Sequence, residues 1–222
     1  CPRAISIAQT GGAHQGILPV QAPFFAELQG RHTGQPGVFS FDGAEGHPGA
    51  PSPEPCHLEA NMNIATLRKL EPINREKAWV LWRYVDIGRP KPAKMPYSIT
   101  STPAAVDNPE TWATLPDILQ APGPRHFYDG IGYVFHGTGL VGVDLDHCID
   151  HGRLQPWAAA IVQDLATYAE ISPSGAGVHI LAIGAIPQGK RAGQVEIYAT
   201  RRYFAMTGDH LAGTPDIIKD RG

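Results

Sequence analysis

From Met62 onward, apolar and polar positions fall into blocks that spell out individual elements. Ala78-Trp79-Val80-Leu81-Trp82-Arg83-Tyr84-Val85 is rich in aromatic and β-branched side chains and predicts a strand. Asn108-Pro109-Glu110-Thr111-Trp112 supplies a capping residue, a proline at the first helical position and an early acid, which predicts a helix running to about Gln120. Two apolar runs, 131–135 and 139–146, flank His136-Gly137-Thr138, whose turn chemistry predicts a hairpin. Apolar residues recur at helical spacing over 156–168 and predict a second helix. Three short strands are expected near 178–183, 195–199 and 203–206. Strands interleaved with helices make this an α/β domain.

Residues 1–61 have a different texture. They contain no lysine, little sustained periodicity, and dense punctuation such as Pro48-Gly49-Ala50-Pro51-Ser52-Pro53-Glu54-Pro55. Such a segment buries too little apolar surface to offset the entropy of ordering it. Residues 1–61 are therefore expected to be a disordered, low-complexity extension, or translated sequence upstream of a natural start at Met62. The alternative is a loop-rich subdomain. The folded domain is expected over residues 62–222.

Composition narrows the class. The 222 residues are 42% hydrophobic and 18% charged, enough for a core and too little charge for a wholly disordered chain. A net charge of −3 argues against attachment to nucleic acid through bulk positive charge. From Met62 onward 16 basic residues balance 16 acidic ones, so positive charge is local. Arg83, Arg89, Lys91 and Lys94 form one cluster, and Lys190, Arg191, Arg201 and Arg202 another. Clusters of this size suit a triphosphate or a few backbone phosphates, and equally suit solvated loop ends. Three cysteines without a CxxC pair support neither a disulfide framework nor a zinc ribbon, and a reducing cytosol is expected. No apolar run approaches the ~20 residues of a membrane span, so no membrane partner is expected.

The candidate chemistry is carried by carboxylates. At the end of an apolar strand, Val143-Asp144-Leu145-Asp146 alternates so that Asp144 and Asp146 share one face. Two like charges this close repel, and a bound cation relieves them; oxygen ligands favour Mg²⁺ or Mn²⁺ over zinc. A solvated strand end or a turn-capping Asp pair is the competing reading. In Val195-Glu196-Ile197-Tyr198, alternation places Glu196 and Tyr198 on one face and Val195 and Ile197 toward the core. If the two strands are neighbours, Glu196 completes a three-carboxylate cluster able to hold two cations about 4 Å apart, as phosphoryl transfer uses them. An exposed Glu on an edge strand competes. Between them, Ser172-Pro173-Ser174-Gly175-Ala176-Gly177-Val178-His179 has the small residues that let backbone N–H groups face an anion, then a strand with His179 as its polar side chain. It lacks the Gly-Lys-Ser/Thr of a Walker loop. A glycine-rich hairpin with a satisfied histidine is the alternative. His147-Cys148-Ile149-Asp150-His151 offers two imidazoles and a thiol but reads better as a plain loop than as a zinc site.

In order along the chain, these pieces resemble the primase-polymerase domain of phage and plasmid replication proteins, in the archaeo-eukaryotic primase superfamily. The matching text is Lys94-Met95-Pro96-Tyr97, Asn108 to Trp112, Val143 to Asp150, Ile171 to His179, Val195 to Tyr198 and Arg202-Tyr203-Phe204-Ala205-Met206-Thr207-Gly208. It covers roughly 75–210, and the ordered set is far more specific than any member. The resemblance implies an RRM-like sheet core of the primase type with flanking helices. It implies that Asp144, Asp146 and Glu196 bind two catalytic metals, Mg²⁺ or Mn²⁺, and that His179 contacts the incoming nucleotide's phosphates. Lys94, Arg202, Thr207, Ser174, Gly175 and Gly177 carry over to nucleotide binding. One departure from the wider superfamily is Gly177, which stands where a Ser two residues before the histidine is usual.

The activity so implied is template-directed nucleotidyl transfer by a DNA primase and polymerase in phage or plasmid replication, in the cytoplasm of a bacterial or archaeal host. Its partners would be a single-stranded DNA template and NTP or dNTP substrates. Such proteins commonly continue into a helicase domain, so the chain is expected to be a fragment or to work with a separate helicase. The rivals are a metal-dependent nuclease or phosphohydrolase using the same carboxylates, and an RRM-like module that binds nucleic acid without chemistry. A rolling-circle nickase is disfavoured because its paired metal-binding histidines are missing.

Overall fold

The aromatic run after Ala78 does form a strand, β1 (Trp79–Val85), and it lies inside the first of the two larger sheets. The computed structural model describes residues 62–121 and 127–222, so the expectation for residues 1–61 lies outside the described residues. β1 pairs antiparallel with β2 (Ala93–Tyr97) and with β3 (Gly130–His136), and β11 (Thr200–Met206) lies against the far side of β3. The first sheet thus runs β11-β3-β1-β2. Helices α1 (Ile64–Leu67) and α2 (Leu115–Gln120) contribute Leu67, Leu115 and Ile118 to its core, with Trp79, Tyr133 and Phe135 from the strands.

In the second sheet, β4 (Leu140–Leu145) lies between β8 (Val178–Ile183) and β10 (Val195–Tyr198), antiparallel to both. β9 (Lys190–Ala192) borders β10. β7 (Ala169–Ile171) pairs antiparallel with one end of β8, and β12 (Lys219–Asp220) pairs parallel with the other. A small ribbon of β5 (Ile149–Asp150) and β6 (Arg153–Leu154) stands apart. Helix α3 (Pro156–Leu165) covers one face: Val143, Leu145, Ile180 and Ile197 pack with Ala158 and Val162. The fold is a strand-rich α/β architecture with few, short helices. No helix among the described residues is long and apolar enough to cross a membrane.

Three expectations are corrected. The hairpin at His136-Gly137-Thr138 does not form, because β3 and β4 belong to different sheets. Gly137 and Gly139 both take positive φ, and the chain uses this freedom to change sheets, with the Gly137 N–H donating to Ala199 at 2.9 Å. β10 and β11 make the same change at the same corner, where Thr200 pairs with His136. The helix expected from Asn108 to Gln120 is broken into a 3-10 turn (Pro109–Thr111) and α2. Between them Ala113 exchanges two 2.9 Å backbone hydrogen bonds with Trp79, and Thr114 with Asp117 builds a capping box that starts α2 afresh. The second helix stops at Leu165 and not at Tyr168, because Ala166 turns left-handed and the chain enters β7.

The second face of the β4 sheet is divided. Leu181 and Leu140 join the first sheet's core, and Gly142 gives Phe135 and Phe204 room to lie against the strand. One row further along, the side chains become polar at the margin between the two sheets.

Candidate active site

Strand register builds the site. Glu170 on β7 faces His179 on β8; His179 faces Asp144 on β4; Asp144 faces Glu196 on β10; Glu196 faces Arg191 on β9. Directly opposed residues share a face, so five ionisable side chains lie in one row across five strands. Alternation sends Val143, Leu145 and Ile197 to the opposite, α3-covered face.

The middle of the row, His179, Asp144 and Glu196, opens into a cleft of about 240 Å³ between the sheets. Asp144, His179, Glu196 and Tyr198 form one side, and Lys94, Arg202, Tyr203, Phe204 and Ala205 the other. Carboxylates thus face cations across the cleft. Lys94 Nζ sits 5.3 Å from the centre of the Trp82 ring, and the Arg202 guanidinium 4.8 Å from that of Tyr198. Burial pulls the Lys94 ammonium below its usual range, and Asp144 and Asp146 draw it back up.

The carboxylates are crowded. Burial pushes the Asp144 carboxyl above its usual range; Asp146 and Glu196 push the same way, against the pull of His179 and Lys94. Glu196 accepts a hydrogen bond from the Tyr198 hydroxyl and an ion pair from Arg191 at 2.9 Å. His179 is 5% exposed, its Nε2 3.8 Å from Asp144 Oδ1, its ring stacked on Phe204 with centroids 4.5 Å apart. Among the described residues, no three His, Cys, Asp or Glu side chains converge as a finished metal cage. Glu196 is turned to Arg191 and Tyr198, and Asp146 lies one residue past the end of β4 with its N–H on Gln194 at 2.8 Å. The donor set nonetheless fits a hard divalent cation: Asp144, Asp146 and Glu196 offer only carboxylate oxygens, and their crowding is what a cation relieves.

Other residues singled out in the sequence are placed differently. The Ser172-to-Gly177 loop closes the β7-β8 hairpin; Ser174 Oγ contacts Ser172 Oγ at 3.0 Å and accepts from Ala176 N–H, and Gly175 N–H donates to Ser172. Those two N–H groups are spent within the loop. Gly177 fits close to the Leu145 carbonyl and the Ser172 hydroxyl, and none of Ser174, Gly175 or Gly177 lines the cleft. Thr207 is also outside the cleft: its hydroxyl donates to the Ile171 carbonyl at 2.7 Å and accepts from Asp209 N–H. In the 147–151 segment, Cys148 is buried with its thiol on the Leu145 carbonyl, while His147 and His151 are exposed.

Sequence reasoning missed Glu170 and Phe204 as parts of the site, and placed Tyr198 on the face of Glu196 without giving it a role. Glu170 is wholly buried; it accepts from Thr207 N–H at 3.0 Å, Gly208 N–H at 2.9 Å and the Tyr168 hydroxyl at 2.9 Å. The signal for Glu170 was a lone acid between Ala169 and Ile171, in a stretch too short to be recognised as a strand.

No family model matches this chain. A protein of Nitratiruptor phage NrS-1 described as a DNA primase-polymerase is 28% identical over 165 residues, 69% of this chain and 22% of that protein. The chain therefore spans about a fifth of the length of that relative. This similarity bears out the resemblance to phage primase-polymerases carried by the ordered motifs.

Proposed function

We propose that this chain, like the phage relative it resembles, carries a primase-polymerase domain that performs template-directed nucleotidyl transfer on DNA. The observation that carries the proposal is the row His179, Asp144, Glu196, with Lys94 and Arg202 facing it across the cleft. A nucleoside triphosphate needs both signs of charge: cationic groups for its phosphates and carboxylates for the divalent ions that accompany them.

Asp144, Asp146 and Glu196 would hold two Mg²⁺ or Mn²⁺ ions, Glu196 exchanging its Arg191 contact to do so. Such ions, when bound there, would supply Lewis-acid chemistry: favouring ionisation of the attacking hydroxyl and offsetting charge on the departing pyrophosphate. Lys94 and Arg202 bind the phosphates as fixed positive charges, and His179, held flat by Phe204, presents Nε2 to them. Positioning accounts for most of the acceleration. The proposed fold is the RRM-like core of the archaeo-eukaryotic primase type, and the proposed setting is phage or plasmid replication inside a bacterial or archaeal cell, with single-stranded DNA as template and a helicase as partner.

The same carboxylates would serve a hydrolase with water as nucleophile. Incubation with a primed template, dNTPs and Mg²⁺ or Mn²⁺, repeated without primer, separates the two. Lengthened primer supports the polymerase, and products without primer add priming. Shortened primer with no extension overturns it in favour of the hydrolase.

A further inference from the structure

We propose that Glu170 is a positioning residue for His179: a buried carboxylate that fixes which imidazole nitrogen faces the cleft. The proposal deepens the nucleotide-binding reading and rests on it.

A fully buried carboxylate is costly unless its oxygens are satisfied. Glu170 is 0% exposed, and three donors meet it: the N–H groups of Thr207 and Gly208 and the hydroxyl of Tyr168. With this scaffold its Oε1 stands 3.5 Å from His179 Nδ1, on the strand position directly opposite. Nδ1 is itself buried and has no aligned hydrogen-bond partner, so Glu170 is the acceptor within its reach.

The histidine ring has two orientations related by a half-turn, and only one sets a nitrogen toward Glu170 and the other toward Asp144. Phe204 stacks on one face at an interplanar angle of 20° and blocks intermediate tilts. Glu170 then chooses between the two remaining, because the flipped ring would turn a C–H to the carboxylate. A carboxylate behind an imidazole, fixing its orientation toward a substrate or metal, is a recurrent arrangement in functional sites. Here it also explains Thr207, whose backbone N–H holds Glu170 and whose side chain stays clear of the cleft.

The test is a double-substitution cycle on the full chain, reading KM for the incoming nucleotide, kcat, direct affinity for a fluorescent dNTP, and melting temperature. Glu170→Gln is expected to raise KM and the dissociation constant about tenfold, with a smaller change in kcat. In the His179→Ala background the same substitution should leave both unchanged, while its effect on melting temperature persists. Glu170→Asp, which keeps the charge but withdraws it by one carbon, serves if the Gln variant does not fold and should show the same dependence on His179. Equal multiplication of KM in both backgrounds assigns Glu170 a purely structural role and overturns the inference alone. An unsubstituted chain that binds no nucleotide overturns the functional reading and this inference together.

Discussion

Glu196 on β10 stands directly opposite Asp144 on β4, so two carboxylates 52 positions apart in sequence share one face of one sheet. A third, Asp146, follows close enough to raise the Asp144 carboxyl further. The proposed metal site depends on this adjacency.

Arg191 competes with a cation for Glu196. Its side chain is 68% exposed, so solvent screens the 2.9 Å ion pair from the arginine side and a divalent cation can displace it from the more buried Glu196. Arg191→Ala should therefore lower the Mn²⁺ concentration giving half-maximal activity by about two- to fivefold. A metal titration checks this, and a higher requirement would mean that Arg191 helps the site.

Arg202 faces the carboxylates from the other wall, its guanidinium over Tyr198. Losing a charge-assisted contact to phosphate costs roughly 2 kcal/mol, so Arg202→Ala should raise KM for the nucleotide at least about tenfold. Steady-state kinetics read it out; an unchanged KM removes Arg202 from the site.

Gly142 separates the site from the core. A Cβ there would collide with Phe135 and come within 2.6 Å of Phe204, the ring that holds His179. Gly142→Ala should cost about 1 to 3 kcal/mol, seen as a lower melting temperature, and should weaken nucleotide binding as well. A variant that melts like the parent would contradict the packing described.

Alkaline pH should loosen the fold. Burial pushes the Cys148 thiol up from 9.0 to about 12, and burial likewise raises Tyr133, Tyr168 and Tyr203. These groups stay neutral in the fold and ionise once unfolded, so their contribution is complete below pH 9.0 and is lost as pH rises toward 12. Melting temperatures should fall across that window, less steeply in Cys148→Ala. An equal fall in both would exclude Cys148 as a source.

Much of the row was legible in the sequence, because period-two alternation around Asp144 and Glu196 assigns their faces without knowledge of partners. Strand β8 spans the 178–183 expected from its apolar run. The β3-β4 hairpin was misread since glycines that permit a tight turn equally permit a change of sheet, and only the pairing of β3 with β11 decides between them. The helix over 108–120 was misread because its start signals are real but are overridden at Ala113 by pairing with Trp79. Glu170 escaped notice because its meaning lies in long-range contacts: the N–H groups that hold it come from residues 37 and 38 positions away.

The most direct test of the catalytic row is primer extension by the full chain beside Asp144→Asn and Glu196→Gln, with melting curves for all three. The expected result is extension dependent on template and on Mg²⁺ or Mn²⁺ in the parent, reduced to background in each variant, with melting temperatures within a few degrees of the parent. Extension that survives in a folded Asp144→Asn or Glu196→Gln variant would contradict the assignment of these carboxylates.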